Sequence, residues 1–275
     1  MCPPKLYEVN YVINPWMAGN VHASSPAIAA GQWQQLYEVV AQIADVVLIE
    51  PQPGSPDMVF TANAGLEHNG TVVVSSFFHS ERQGEEQHFR RWFQAAGYRV
   101  INIPREHSFE GEGDALFESD GSHLWAGYGL RTLQSSHQYL KEAWGIDVVS
   151  LHLIDPRFYH LDTSFAPLEG GCVMYYPGAF DESSLKRIEA SYPCDYRIAI
   201  SENDALRFAC NVINVNGTLI LNGISRALRD QLESKGFRII EVSLSEFIKA
   251  GGAAKCLVMK LSEPVCSKSK VTLRP

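Results

Sequence analysis

The chain has 275 residues and is 45% hydrophobic, 11% aromatic and 20% charged, which suits one large or two ordinary globular domains and excludes disordered, collagen-like and coiled-coil proteins. Lys and Arg number 23 against 31 Asp and Glu, a net charge of -8, the wrong sign for a protein that lives on phosphate backbones. No apolar run reaches the roughly 18 residues of a membrane helix, and the start, MCPPKLYEVN, lacks the charged-then-apolar order of a signal peptide, so a soluble, cytoplasmic protein without nucleic-acid or membrane partners is expected.

In chain order, YEVNYVI reads as a strand, Trp33 to Ala44 as a helix and VVLIEP as a returning strand. Four further units repeat one phrase of strand, tight turn and strand. They are NAGLEHNGTVVVS, turning at Asn69-Gly70; DALFESDGSHLWAG, at Asp120-Gly121; FAPLEGGCVMYYPG, at Gly170-Gly171; and NVINVNGTLILN, at Asn216-Gly217. These dipeptides tolerate the positive φ of hairpin turns. After each hairpin, apolar residues three or four apart mark a helix: Phe89, Trp92 and Phe93; Tyr139, Leu140 and Trp144; Leu185 and Ile188; Leu228 and Leu232. Gly97, Gly145 and Gly236 fit left-handed caps that close three of these helices before a new apolar run, and Pro193 ends the fourth. Five strand-strand-helix-strand units, none able to bury its own apolar face, imply a closed α/β repeat packed about an axis, formed by residues 1 to 275 as a single domain. The last residues, SKSKVTLRP, read as a polar tail.

The segments joining the units should meet near that axis, and they hold the chain's unusual chemistry: PDMVFTANAG, FEGEGDALF, FYHLDTSFAPL, ALRFACNVI and AGGAAKCLVM. Asp57, Glu110, Asp114, His160 and Asp162 lie there among glycines and aromatics, where a carboxylate is costly unless paired or bound to a cation. Cys256 follows glycines that allow close backbone approach to a ligand, and a thiol there could serve as a nucleophile. A lone cysteine in an apolar strand is more often inert, and Cys172, Cys194 and Cys210 are read so. The six scattered cysteines suit reduced thiols better than disulfides, and neither CxxC nor a His/Cys cluster suggests a metal. Arg82 and Arg131 fall just after the second strands of neighbouring hairpins, either as surface residues or as a pair of planar forks for a carboxylate. Asn14, in INPWM, reads locally as an Asn-Pro turn.

PDMVFTANAG, FEGEGD, YHLDT and GGAAKC, in this order and spacing, resemble the guanidine-modifying pentein superfamily of amidinotransferases, arginine deiminases and dimethylarginine dimethylaminohydrolases, which share a five-bladed α/β propeller. The opening MCPPKLYEVNYVINPWM resembles the arginine dihydrolase module of cyanobacterial arginine-guanidine-removing enzymes, which turn arginine into ornithine, carbon dioxide and two ammonia. The resemblance spans essentially the whole chain. It implies Cys256 as nucleophile, His160 as general acid/base, Glu110 and Asp162 as carboxylates holding the guanidinium, Asp57 and Asn14 at the substrate, and Arg82 and Arg131 on its carboxylate. FEGEGD has one residue more than the family's Glu-Gly-Gly-Asp pattern, so Glu110 or Glu112 could face the site; Glu110 keeps the Phe-Glu-Gly phrase. Asn63 stands where deiminases and dimethylarginine hydrolases generally carry Asp and the dihydrolase group carries Asn. The implied activity is therefore arginine dihydrolysis, with L-arginine as the small-molecule partner, no cofactor, and a homo-oligomer left open. The alternatives are a deiminase or dimethylarginine hydrolase releasing citrulline, and a non-catalytic propeller. Relatives of this type carry a second, ornithine-processing module for which 275 residues leave no room, so cyclisation to proline is not expected.

Overall fold

A computed structural model describes residues 1–262; Cys266 and the expected polar tail lie outside the described residues. Its chain order is built on twelve short strands in four three-stranded sheets. These are β1 (Gly65–His68), β2 (Thr71–Val74) and β3 (Arg99–Asn102); β4 (Ala115–Phe117), β5 (Leu124–Tyr128) and β6 (Val148–His152); β7 (Phe165–Leu168), β8 (Cys172–Tyr175) and β9 (Arg197–Ala199); and β10 (Ile213–Val215), β11 (Thr218–Leu221) and β12 (Arg238–Glu241). In every sheet the first two strands pair antiparallel and the third returns parallel to the second. A helix makes each return, as a parallel connection requires. The middle strands read VVV, CVMY and TLIL because both their faces are covered.

The turn dipeptides act as expected. Asn69-Gly70 and Asn216-Gly217 have φ of 50° and 75°, and 51° and 71°, and Gly170-Gly171 has 79° and 74°, the paired left-handed conformations of a tight hairpin. Asp120-Gly121 sits instead in a longer loop, closed by Glu118 N–H to His123 O and Gly121 N–H to Glu118 O. Gly97, Gly145 and Gly236 cap their helices at φ of 91°, 68° and 90°. The helices α1 (Pro26–Ala41), α2 (Ser80–Gln83), α3 (Glu85–Ala95), α4 (His137–Trp144), α5 (Glu182–Ser191), α6 (Glu202–Ala205), α7 (Arg226–Ser234) and α8 (Ser245–Ile248) complete the pattern. Phe89 and Phe93, Leu140, Ile188, and Leu228 and Leu232 are the buried apolar contacts of the four return helices.

The opening unit departs from expectation. Neither 7–13 nor 46–51 forms a strand, and the helix runs from Pro26 rather than Trp33. Prolines at 3, 4, 15, 51 and 53 remove ladder donors on both flanks, leaving two bonds at the amino terminus, from the Met1 ammonium to Val47 O and from Ile49 N–H to Met1 O. The helix starts earlier because Ser25 caps it, accepting from Ile28 N–H, with Pro26 in its first turn. Trp33, Leu36 and Val40 then pack with Tyr7, Val9 and Phe247. Among the described residues, no helix is long and apolar enough to cross a membrane.

The five interior joints touch in sequence and close on themselves. Asn63 Nδ2 donates to Glu110 O, Leu161 N–H to Asp114 Oδ1, Asn211 Nδ2 to Asp162 O, Lys255 N–H to Asn211 O, and Ala62 N–H to Cys256 O. Gly111 is part of this ring at φ +64°, where an added Cβ would lie 2.6 Å from Ala62 O and 2.8 Å from Gly65 N and O. Those backbone atoms cannot step aside. Gly111→Ala should therefore destabilise the fold by about 3 kcal/mol or more, whereas Gly121→Ala, at φ +72° in open space, should cost only about 1 to 2 kcal/mol for its backbone conformation. Denaturant melts of the two variants check this ordering.

Candidate active site

Asn14, Asp57, Asn63, Arg82, Arg131, His160 and Cys256 line one narrow cleft, beside Ile13, Tyr159 and the backbone of Ala250–Gly252. Glu110 and Asp162 stand directly behind it. Every residue expected at the site is thus brought to one place, from segments as distant as 14 and 256.

Cys256 arrives on a tight connection after α8. Gly251 (φ +84°) would place a Cβ 2.6 Å from the Tyr159 hydroxyl, and Gly252 would place one 2.6 Å from the Phe60 ring, so only glycine lets this backbone approach the cleft. The Cys256 thiol lies 3.4 Å from Asp162 Oδ2, with Asn211 Nδ2 donating to Sγ at 3.1 Å. Burial pushes the thiol pKa well above its ordinary value, and the Asp162 charge adds to this against the bonds from Ala253 N–H and Asn211. Burial also pushes Asp162 up to about 7, against the charge of Lys255. The carboxylate therefore discourages ionisation of the thiol, whereas the thiol proton donated to Asp162 Oδ2 favours the carboxylate; a bound cation would lower the thiol pKa.

His160 Nε2 is 2.6 Å from Glu110 Oε2. Burial would raise the Glu110 pKa, yet Arg131 at 3.3 Å, His160 and Arg82 hold it well below the usual carboxylate range. As an ionised carboxylate can only accept, His160 Nε2–H donates. Asp114, which packs 4.0 Å behind the same nitrogen and accepts from Thr132 Oγ1, is pushed by burial up to about 7. Gly113 touches both Asn63 Nδ2 and the His160 ring, leaving no room for a side chain. Glu112 turns the other way: its carboxylate accepts from Lys255 Nζ and from Lys260 N–H. Of the two glutamates in FEGEGD, Glu110 is the one at the cleft.

Arg82 and Arg131 are not surface residues; each is 4% exposed. The Arg82 guanidinium lies 4.4 Å over the Phe77 ring, forks onto Glu85 at 3.0 and 2.8 Å, and donates to Asn63 Oδ1 at 2.9 Å. Arg131 lies 4.5 Å over the Tyr159 ring and donates to Ile13 O and Glu110 Oε2. Asn14 makes its expected turn, Oδ1 accepting from Trp16 and Met17 N–H, and also reaches the cleft wall through Ala250 O. Asp57 Oδ2 accepts from Tyr11 OH, and its Oδ1, like Asp162 Oδ1, is buried without a partner. Cys172 and Cys210 are buried, whereas Cys194, read with them as an inert cysteine of an apolar strand, is exposed because it starts the short turn Cys194–Tyr196 on the way to β9. No group of three or more His, Cys, Asp or Glu among the described residues could hold a metal ion.

Asn211 and Tyr11 were missed from the sequence, and Asp114 was noticed but given no part. Aligning the repeats exposes Asn211, which precedes β10 by two residues as Asn63 precedes β1; Tyr11 carries no such signal.

The chain belongs to the dimethylarginine dimethylaminohydrolase family: the family model "N,N dimethylarginine dimethylhydrolase, eukaryotic" matches residues 17–263. It is 54% identical to the bifunctional arginine dihydrolase/ornithine cyclodeaminase AgrE of Nostoc sp. and 52% identical to ArgZ of Synechocystis sp., in each case over 96% of this chain and 38% of that protein. The dimethylarginine dimethylaminohydrolase of Mycobacterium tuberculosis is 37% identical over 95% of this chain and 84% of its own. The solved N-terminal domain of ArgZ bound to product, described as an arginine dihydrolase from the ornithine-ammonia cycle in cyanobacteria, superposes with a TM-score of 0.95 at 52% identity, covering 96% of this chain and 97% of that one. The chain thus spans a little over a third of the length of these two cyanobacterial proteins, and the likeness read from its motifs is borne out.

The raised Asp162 pKa has a consequence for stability. Between its unfolded value near 4 and about 7, the native state binds the proton and the unfolded chain does not, so this group makes stability fall as pH rises through that window. Asp162→Asn should raise stability at pH 8 by about 1 to 3 kcal/mol and leave it nearly unchanged at pH 4. Thermal melts at the two pH values test the sign.

Proposed function

We propose that this chain hydrolyses the guanidinium group of L-arginine to ornithine, carbon dioxide and two ammonia, with Cys256 as nucleophile. The observation that carries the reading is the pair of orphaned carboxylate oxygens, Asp57 Oδ1 and Asp162 Oδ1, buried at a cleft that also holds a thiol and a histidine. Unpartnered buried acceptors are costly, and arginine offers a cationic N–H donor at each end. The relatives named as arginine dihydrolases support the choice of substrate and reaction. The ring of bonded joints also supports reading residues 1–275 as one catalytic domain of five propeller units, the first using α1 in place of a full sheet. A cytoplasmic location remains the expectation from the sequence.

In this mechanism Asp162 and Glu110 hold the guanidinium in plane, and the bound cation lowers the thiol pKa that burial and Asp162 had raised. The thiolate adds to the guanidinium carbon, and His160 protonates a departing ammonia, leaving a thiouronium on Cys256. His160 then takes a proton from water as it adds to that carbon. Loss of a second ammonia leaves a thiocarbamate, and a second water releases the thiol and a carbamic acid, which decarboxylates to ornithine. Arg131, with Arg82 beside it, provides positive charge for the substrate carboxylate, while Asp57 and Asn14 border the amino-acid end. Asn63 decides the branch. Its Oδ1 is taken by Arg82 and its Nδ2 by Glu110 O, so this neutral amide does not pin the second nitrogen as a cation.

Dimethylarginine hydrolysis is the rival reading, favoured by the family model and the mycobacterial relative. Amino-acid analysis separates the two: ornithine with two ammonia per arginine is expected, and stoichiometric citrulline would overturn the proposal. Asn63→Asp should shift the products toward citrulline, each tenfold change in ratio reporting about 1.4 kcal/mol of difference between the branching barriers.

Agmatine, which lacks the carboxylate facing Arg131 and Arg82, should lose about 2 to 5 kcal/mol of transition-state binding, read as a fall in kcat/KM relative to arginine.

A further inference from the structure

We propose that Asn211 anchors the thiolate of this site, its side-chain N–H stabilising the Cys256 sulfur as an anion while its carbonyl locks the backbone that carries it. The inference rests on the reading of Cys256 as nucleophile.

Asn211 is fully buried, and its side-chain polar atoms and main-chain carbonyl face the nucleophile segment or its neighbour. Oδ1 accepts from the N–H of both Ala253 and Cys256, each at 3.1 Å. Nδ2 donates to Cys256 Sγ at 3.1 Å and to Asp162 O at 3.3 Å, while the Asn211 main-chain carbonyl accepts from Lys255 N–H. The orientation of the amide is unambiguous. If it were flipped, two backbone N–H groups would face an NH2 group, and no donor would reach the sulfur or the carbonyl.

Local backbone strain holds the residue in place. Phe208 sits at φ +62°, rare for a bulky side chain, and its carbonyl accepts from Asn211 N–H. The Phe208 ring is fully buried 4.7 Å from Trp16, which keeps this turn from relaxing.

The other groups around the sulfur make a neutral donor necessary. Asp162 Oδ2 lies 3.4 Å away and opposes ionisation, and the acidic Asp57 shares the cleft. Arg82, Arg131 and His160 line it too, but Arg82 is forked onto Glu85 and both Arg131 and His160 are committed to Glu110. Lys255, next in the chain, turns to Glu112, and the Tyr159 hydroxyl donates to Gly251 O. Beside the backbone N–H of Ala253, which Asn211 Oδ1 itself holds, Asn211 is the side chain whose N–H reaches the sulfur, and it keeps the same charge before and after ionisation.

The test is alkylation of Cys256 by iodoacetamide as a function of pH, followed by mass spectrometry without arginine present. Asn211→Ala and Asn211→Asp should both move the midpoint up by about one pH unit or more. With folding checked by thermal melts, both should also lower kcat for arginine by about 30-fold or more while KM changes by less than about threefold. A midpoint unchanged from the parent in a folded variant overturns the proposal. Should neither variant fold, 15N-labelled unsubstituted protein decides: one Asn211 side-chain amide proton must shift with the thiol titration, and a shift independent of pH refutes the anchor. Arginine turnover by Cys256→Ser would sink the reading of the nucleophile, but it would leave the alkylation result standing by itself.

Discussion

Five segments from different parts of the chain meet in a ring of hydrogen bonds, and everything else in the molecule is arranged to hold that ring. Each three-stranded sheet with its return helix buries an apolar face and, in doing so, delivers one short polar joint to the interior. The geometry leaves little slack: Gly111, Gly113, Gly251 and Gly252 are small because the neighbouring joint, ring or carbonyl occupies the space a side chain would need. Most joint residues serve two purposes. Asn63 links two joints and fixes the Arg82 guanidinium, and Asp114 braces His160 while tying its own joint to Leu161 N–H.

The interior carries more acid than it can keep ionised. Glu110 is held charged because Arg131 and His160 converge on it, whereas Asp57, Asp114 and Asp162 are displaced toward protonation by burial. In this pocket of raised carboxyl pKa values, two orphaned oxygens and a raised thiol pKa, the cations are paired with Glu85, Glu110 and Glu112 rather than with the sulfur. In the proposed reaction a planar cation supplies positive charge and the missing donors together, so that binding and activation of Cys256 become one electrostatic event, and the cost of the unpaired acids is a less stable protein at neutral and alkaline pH.

The repeat was legible because its signals are local. Asn-Gly and Gly-Gly turns, glycine caps and helices with apolar residues three and four apart each depend on a few adjacent residues, so four sheets could be placed from the sequence. The opening unit was misread because an apolar run looks the same whether or not prolines interrupt its pairing, and Tyr7 and Val9 are buried without a ladder. The cleft residues were recognisable as costly polar groups in apolar joints. Most of their pairings were not: Arg131 meets Glu110 across the 21 residues of an intervening hairpin and His160 meets it across 50, and no spacing encodes such contacts. Tyr11 on Asp57 is the clearest case: 46 residues separate them, and the tyrosine lies in a stretch that reads as ordinary core.

The closure between the first and last joints has a consequence for how the chain acquires its chemistry. Thr61 Oγ1 donates to Leu257 O and Ala62 N–H to Cys256 O, contacts that span almost 200 residues. Loops this long close late in folding, after the local hairpins and helices have formed. During synthesis the thiol is among the last of the cleft residues to emerge, and its partners wait on pre-assembled sheets. A partly made chain therefore holds a scaffold without the thiol proposed as nucleophile, and the complete cleft appears in one step when the ring shuts.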